Sequence, residues 1–295
     1  MKRLAITLGA GLCLALGTAL YTRAQDAPPA EPEYRSGSVL ALNDWGAFES
    51  AMVEALASTG TPDPLVVILP QASTAPDAGA AEVKRFADLG MQSVRLMTEL
   101  VGDEALNTFD AADVIWFADG DPDLLMKELA AAAVAHRFHQ WRVSGKIIGA
   151  AGPVSAVLGF TYIHDAHDGH DHSHEHGADG EEEKPLMTHL AVKPVRGLGL
   201  WSGFIVPDAL VRDRFALTAS AVLDQPRLLA MCLGEHGAAR IQDEKMFFFG
   251  DGPVLVYDAR KAKKVFIDEN APHSVRNAKL HCFAIGDEFN WMDLE

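Results

Sequence analysis

The chain has 295 residues, 48% of them hydrophobic, and a formal net charge of −16 at pH 7. An acidic excess of this size repels phosphate backbones, which argues against nucleic acid as a partner, while leaving cationic ligands open. The apolar share is that of a chain that buries a core, and no stretch after the first two dozen residues is long enough to span a bilayer.

In chain order, residues 1–24 read as an export signal. Lys2 and Arg3 supply a positive start, an apolar run extends from Leu4 to Tyr21, and Thr22-Arg23-Ala24 offers small residues for cleavage. The expected location is therefore exported, periplasmic or extracellular, with a retained N-terminal anchor as the alternative. Residues 25–37, rich in proline, read as a flexible tether, and residues 38–295 as one α/β domain. Only Cys232 and Cys282 survive cleavage; both lie in apolar, strand-like stretches and read as small core residues, with their pairing left open.

Short apolar runs of strand character alternate with segments of helical period. The strand candidates are Ser38 to Leu42, Leu65 to Leu69, Ser93 to Leu96, Val114 to Phe117 and Lys146 to Ala150. Asp44 can cap a helix carrying Phe48, Met52, Ala55 and Leu56, and Asp121 or Asp123 can start another through Leu124, Leu125 and Leu129. Strands separated by helices predict a three-layer sandwich around a mainly parallel central sheet. Later runs, Arg227 to Cys232, Lys245 to Phe249, Val254 to Tyr257 and Leu280 to Ala284, are closer together and predict strands that extend or edge that sheet.

The run from Gly145 to Gly159 reads as a strand, a tight small-residue turn, and a helix beginning near Pro153. In α/β hydrolases such a turn presents a nucleophile at a helix N-terminus, where backbone N–H groups stabilise an oxyanion. This elbow, together with Val114-Ile115-Trp116-Phe117-Ala118-Asp119-Gly120-Asp121, Gly197-Leu198-Gly199-Leu200 and Gly234-Glu235-His236-Gly237-Ala238, resembles the cyanophycinase group of S51 serine peptidases. That resemblance implies a class I glutamine amidotransferase-like fold and a serine-type peptidase ancestry.

Laid against the family's glycine-threonine-serine-alanine-glycine elbow, the nucleophile position falls on Gly152. The family's histidine falls on Ala209, and the acid is retained as Glu235. The family's glycine-glycine-aspartate-glutamine turn reads Asp119-Gly120-Asp121-Pro122, which changes a substrate contact at Gly120 and Asp121. Glycine and alanine supply neither an attacking oxygen nor a base, so the resemblance implies a pseudoenzyme. Two rescues have weaker support: Ser155, one turn beyond the elbow, reads as a plain helix residue, and His236 as a replacement base is opposed by the divergence of adjacent side chains.

Ile163 to Lys184 is a low-complexity acidic segment that carries His164, His167, His170, His172, His174 and His176. Imidazoles suit Zn²⁺, Ni²⁺ or Cu²⁺, and interleaved carboxylates complete a coordination sphere. From His170 to His176 every second residue is histidine, so an extended chain projects four rings from one face. A multi-ion loop is expected rather than a closed structural site, with no organic cofactor. The expected partners are metal ions and a peptide or partner protein. The alternative is an active S51-like hydrolase with a relocated nucleophile or a metal-activated water. His136 and His139 read as helix-end surface residues complementing the dipole, and His189, His273 and His281 as ordinary.

Overall fold

The computed structural model describes residues 36–57, 59–163, 194–210, 214–265 and 274–293. The expected export signal, nearly all of the expected tether and the whole run from His164 to His176 lie outside the described residues. So do His189 and His273.

The first half of the described chain alternates strand and helix. It runs β1 (Ser38–Leu42), α1 (Phe48–Ala57), β2 (Val66–Leu69), α2 (Ala80–Asp88), β3 (Val94–Leu96), α3 (Asp103–Ala111), β4 (Val114–Phe117), α4 (Pro122–Ala131), α5 (Arg137–Val143) and β5 (Ile147–Ala151). All five strands pair in parallel, in the order β1-β5-β4-β2-β3. Three antiparallel strands, β10 (Ala238–Gln242), β11 (Lys245–Phe249) and β16 (Glu288–Asn290), extend the sheet beyond β1 to eight strands.

Strands buried on both faces need apolar side chains, and β2 and β4 have them at every position, β1 at every position after Ser38. Leu40, Leu42, Ile68 and Trp116 point to the face covered by α1 and α2, where Phe48, Met52 and Phe86 meet them. Trp45, Phe48, Phe86 and Trp116 pack there edge-to-face or tilted at centroid distances of 4.9–5.7 Å. Such pairs contribute about 0.5–1.5 kcal/mol each beyond the area they bury. Gly149 of β5 leaves room for that cluster, since a Cβ there would stand 2.5 Å from the Trp116 ring.

Val39, Ala41, Val67, Leu69, Ile115 and Phe117 point to the other face, toward Phe109 of α3, Leu125 and Leu129 of α4, and Phe138 and Trp141 of α5. The helix–sheet–helix sandwich expected from the alternation is thus present. The same core also takes in a second sheet: β7 (Pro194–Arg196), β6 (Gly159–Ile163), β8 (Trp201–Val206), β9 (Leu229–Leu233), β12 (Val254–Asp258) and β15 (Lys279–Phe283). The outer face of this sheet is covered by α6 (Arg214–Asp224) around Phe204, Val206, Ala230, Cys232 and Val222. A separate ribbon pairs β13 (Lys263–Val265) with β14 (Ser274–Arg276).

Several expectations need correction. Of the four later strands expected to extend or edge the first sheet, only Lys245–Phe249 does, and the other three match β9, β12 and β15 of the second. No full helix follows β5: residues Gly152–Leu158 form a 3₁₀ segment that leads directly into β6. Val154 to Leu158 are buried in it, packed among strands of both sheets. Asp44 does not cap α1; its carboxylate serves Gly46 and His236 instead.

Cys282 is exposed rather than in the core. Cys232 and Cys282 face Leu255 from opposite sides in register, so two strand spacings, about 10 Å, separate them and preclude a bridge. His136 and His139 stand at the N-terminal end of α5, where a helix dipole disfavours positive charge, and so do not complement it.

Candidate functional site

The C-terminal ends of β4, β5 and β1 form one row, because Phe117 pairs with Ala150, Leu42 with Ala151, and Leu42 also with Ala238 of β10. The residues leaving these strands therefore stand side by side: Asp119 after β4, Gly152 after β5, Asn43 after β1 and Gly237 before β10. Ligand sites of parallel α/β sheets lie at this carboxyl edge.

Gly152 adopts φ +66°, the left-handed geometry that a nucleophile elbow imposes and that glycine takes without strain. No side chain extends from it, and the next residue is Pro153, which has no N–H to donate. The position that ordinarily supplies an oxyanion-hole donor, the residue after the nucleophile, is thus also silent. The space ahead of Gly152 is taken by a carboxylate: a Cβ on Gly152 would lie 2.8 Å from Asp119 Oδ1.

Asp119 is reached by solvent, but partial loss of hydration and the neighbouring carboxylates of Glu82 and Asp208 push its pKa above the usual aspartate range. The Gly120 N–H, 2.8 Å from Oδ1, only partly offsets them. Glu82 is buried and accepts the Asp119 N–H at 3.2 Å. Gly120 is packed so that a Cβ would meet the Ala72 carbonyl at 2.3 Å, and Asp121 caps α4 by accepting from the Asp123 and Leu124 N–H groups at 2.8 and 3.4 Å.

Beside the elbow lies a pocket of about 310 Å³. Pro153 and Ala156 of the elbow segment, Asp121 at the cap of α4, Asp123 within it, Pro207, and Arg214 of α6 contribute to its wall. Tyr162 of β6 also lines it and donates its hydroxyl to Asp123 Oδ1 at 2.5 Å; burial, then that hydrogen bond, push the phenol pKa well up. Ile163, the last described residue before the histidine-rich run, lines the same pocket.

The other expected site residues do not converge on the elbow. Ala209 is fully buried in the core under α6. Ser155 is fully buried as well, and its Oγ has no hydrogen-bond partner among the described residues, so a substrate carbonyl has no access to it. Glu235 is exposed on the turn between β9 and β10. His236 adopts φ +56°, which breaks the alternation of extended chain; its Nε2 comes 4.0 Å from Glu235 Oε1, so the two side chains do not diverge as expected.

Asn43 and Asp44 carry no motif signal, yet they organise this end of the molecule. Asp44 accepts the His236 N–H at 2.7 Å and faces His236 Nδ1 at 2.9 Å, and it also takes the Gly46 N–H at 2.6 Å. Although burial works to raise it, these bonds and one from Asn43 hold the Asp44 pKa below its ordinary value. Asn43, buried, accepts the Asp208 N–H at 2.5 Å through Oδ1 and donates its own N–H to the Gly237 carbonyl. Among the described residues no group of three or more histidines, cysteines or carboxylates is arranged to hold a metal ion. No helix among them is long and apolar enough to cross a membrane.

No protein-family model matches the chain. It is 28% identical over 247 residues to the cyanophycinase of Synechococcus elongatus, an alignment covering 77% of this chain and 70% of that protein. The cyanophycinase of Thermosynechococcus vestitus matches to the same extent. Among solved structures, a peptidase from an acI-B1 actinobacterium shares the fold with a TM-score of 0.53 at 13% identity, over 88% of this chain and 98% of that one. The chain is thus similar to cyanophycinases over 77% of its length and shares an α/β fold with a solved peptidase.

Proposed function

We propose that this chain is an exported S51-fold protein without serine peptidase activity, which binds transition-metal ions through the histidines between His164 and His176. The observation that carries the loss of activity is the elbow itself. Gly152 keeps the left-handed backbone, offers no nucleophile, and is followed by a proline where an N–H donor is needed. The buried positions of Ala209 and Ser155 support the same reading.

The metal-binding half rests on the density of imidazole and carboxylate in the segment and on borderline-ligand chemistry. Six imidazoles within thirteen residues bind Zn²⁺, Ni²⁺ or Cu²⁺ in several arrangements, and protons compete with the ion below about pH 6. The pocket lined by Ile163 suits a peptide or small ligand at the base of that segment.

Calorimetric titration with ZnCl₂, NiCl₂ and CuCl₂ on the mature chain, and on a variant lacking residues 164–176, tests this half. The expected result is several sites in the mature chain and none tight in the variant. Retention of a tight site in the variant would refute the assignment to the segment. Metal-dependent hydrolysis of an arginyl-aspartate polymer, abolished by EDTA, would instead favour water activated by a bound ion.

A further inference from the structure

Two residues other than glycine adopt positive φ on the loops that flank the elbow row: Asp208 (+55°) after β8 and His236 (+56°) after β9. Such strain persists only where neighbouring structure holds it. Here one pair of residues holds both: Asn43 takes the Asp208 N–H, and Asp44 takes both the backbone and the ring of His236. The two members of the pair are themselves joined, since Asn43 Nδ2 donates to Asp44 Oδ2 at 3.3 Å.

We infer that Asn43 and Asp44 form a proton-linked clasp, in which the charge state of the exposed His236 ring sets the position of the Asp208 loop beside the pocket. The groups facing the ring are Asp44 at the end of β1, Glu235 on its own turn and Asp251 on the turn between β11 and β12, all acidic. The Asp44 hydrogen bond, then its charge, raise the imidazole pKa above 6.5. With the proton on, Asp44 is drawn to the ring by a charge-assisted contact. With it off, the ring carries no charge, its hold on the Asp44 carboxylate weakens, and the carboxylate shifts toward its Gly46 and Asn43 donors. Asn43 transmits that change to Asp208, whose neighbour Pro207 lines the pocket.

The test is a pH titration of the mature, isotope-labelled protein, following the His236 ring and the Asp208 and Gly237 amides by NMR between about pH 5 and 9. The expected result is that the amides of Asp208 and Gly237 shift with the midpoint of the His236 ring. In a His236→Gln variant both should stay flat over that range. An Asp208 amide that is flat while His236 titrates would overturn the inference. So would an Asp208 amide that still titrates near neutrality in His236→Gln, since another group would then be responsible. If Asp44→Asn folds, it should lower the His236 midpoint and reduce the Asp208 shift; an unchanged midpoint would also count against the clasp.

Discussion

The ends of β5 and β1 are adjacent and in register, yet they carry opposite kinds of residue. After β5 come Gly152 and Pro153, which retain a demanding backbone shape and offer neither a reactive side chain nor a donor N–H. After β1 come Asn43 and Asp44, whose polar atoms are engaged by two other loops and by Gly46 of their own. The contrast teaches that shape and chemistry are held by different residues at this edge of the sheet. Gly152 has the backbone shape of an elbow but no side chain, while Asn43 and Asp44 hold the neighbouring loops.

The comparison can be broken first at the elbow. Gly152→Val places a β-branched side chain at φ +66° with its Cβ against the Asp119 carboxylate. A loss of about 2–4 kcal/mol is expected in urea denaturation, from backbone strain plus overpacking. A near-neutral result would mean that Asp119 does not occupy this space in solution. At the β1 end, Asn43→Ala strips a partner from the Asp208 N–H and should cost about 1–3 kcal/mol by the same measurement. It should also leave the parallel sheet intact by far-ultraviolet circular dichroism.

A smaller effect, of opposite sign, is expected from Asp119→Asn. The folded pKa of Asp119 is raised, so the stability linked to its protonation is present below the unfolded value of about 3.8 and is lost as pH rises through the folded value. The amide cannot ionise and does not suffer that loss. The variant should therefore melt higher than the parent at pH 7, and the difference should vanish near pH 3.5. A destabilised variant at neutral pH would show that the carboxylate has a compensating partner.

The parallel half of the fold was legible because its strands are buried on both faces and so appear as unbroken apolar runs. β1, β4 and β11 fall where Ser38 to Leu42, Val114 to Phe117 and Lys245 to Phe249 predict them. The second sheet was not legible as a sheet, since pairing between β6, β8 and β9 is a long-range property with no trace in periodicity. β6 falls in the gap between the helix expected to end at Gly159 and the low-complexity segment beginning at Ile163, so it drew no reading of its own.

At the site, Gly152 was found because a small-residue turn after a strand is a local signal. Asn43 and Asp44 were missed because their partners, Asp208 and His236, are more than 160 residues away. Asp119 was visible as a departure from the family's turn, but its position against Gly152 depends on the register of β4 and β5.

The central claim is that the elbow cannot form a covalent intermediate. The most direct test is to incubate the mature protein with a fluorophosphonate probe, alongside a cyanophycinase as positive control, and to map adducts by mass spectrometry. The account predicts labelling of the control and none on this chain; an adduct on Ser155, or on any residue of the Gly152–Leu158 segment, would contradict it.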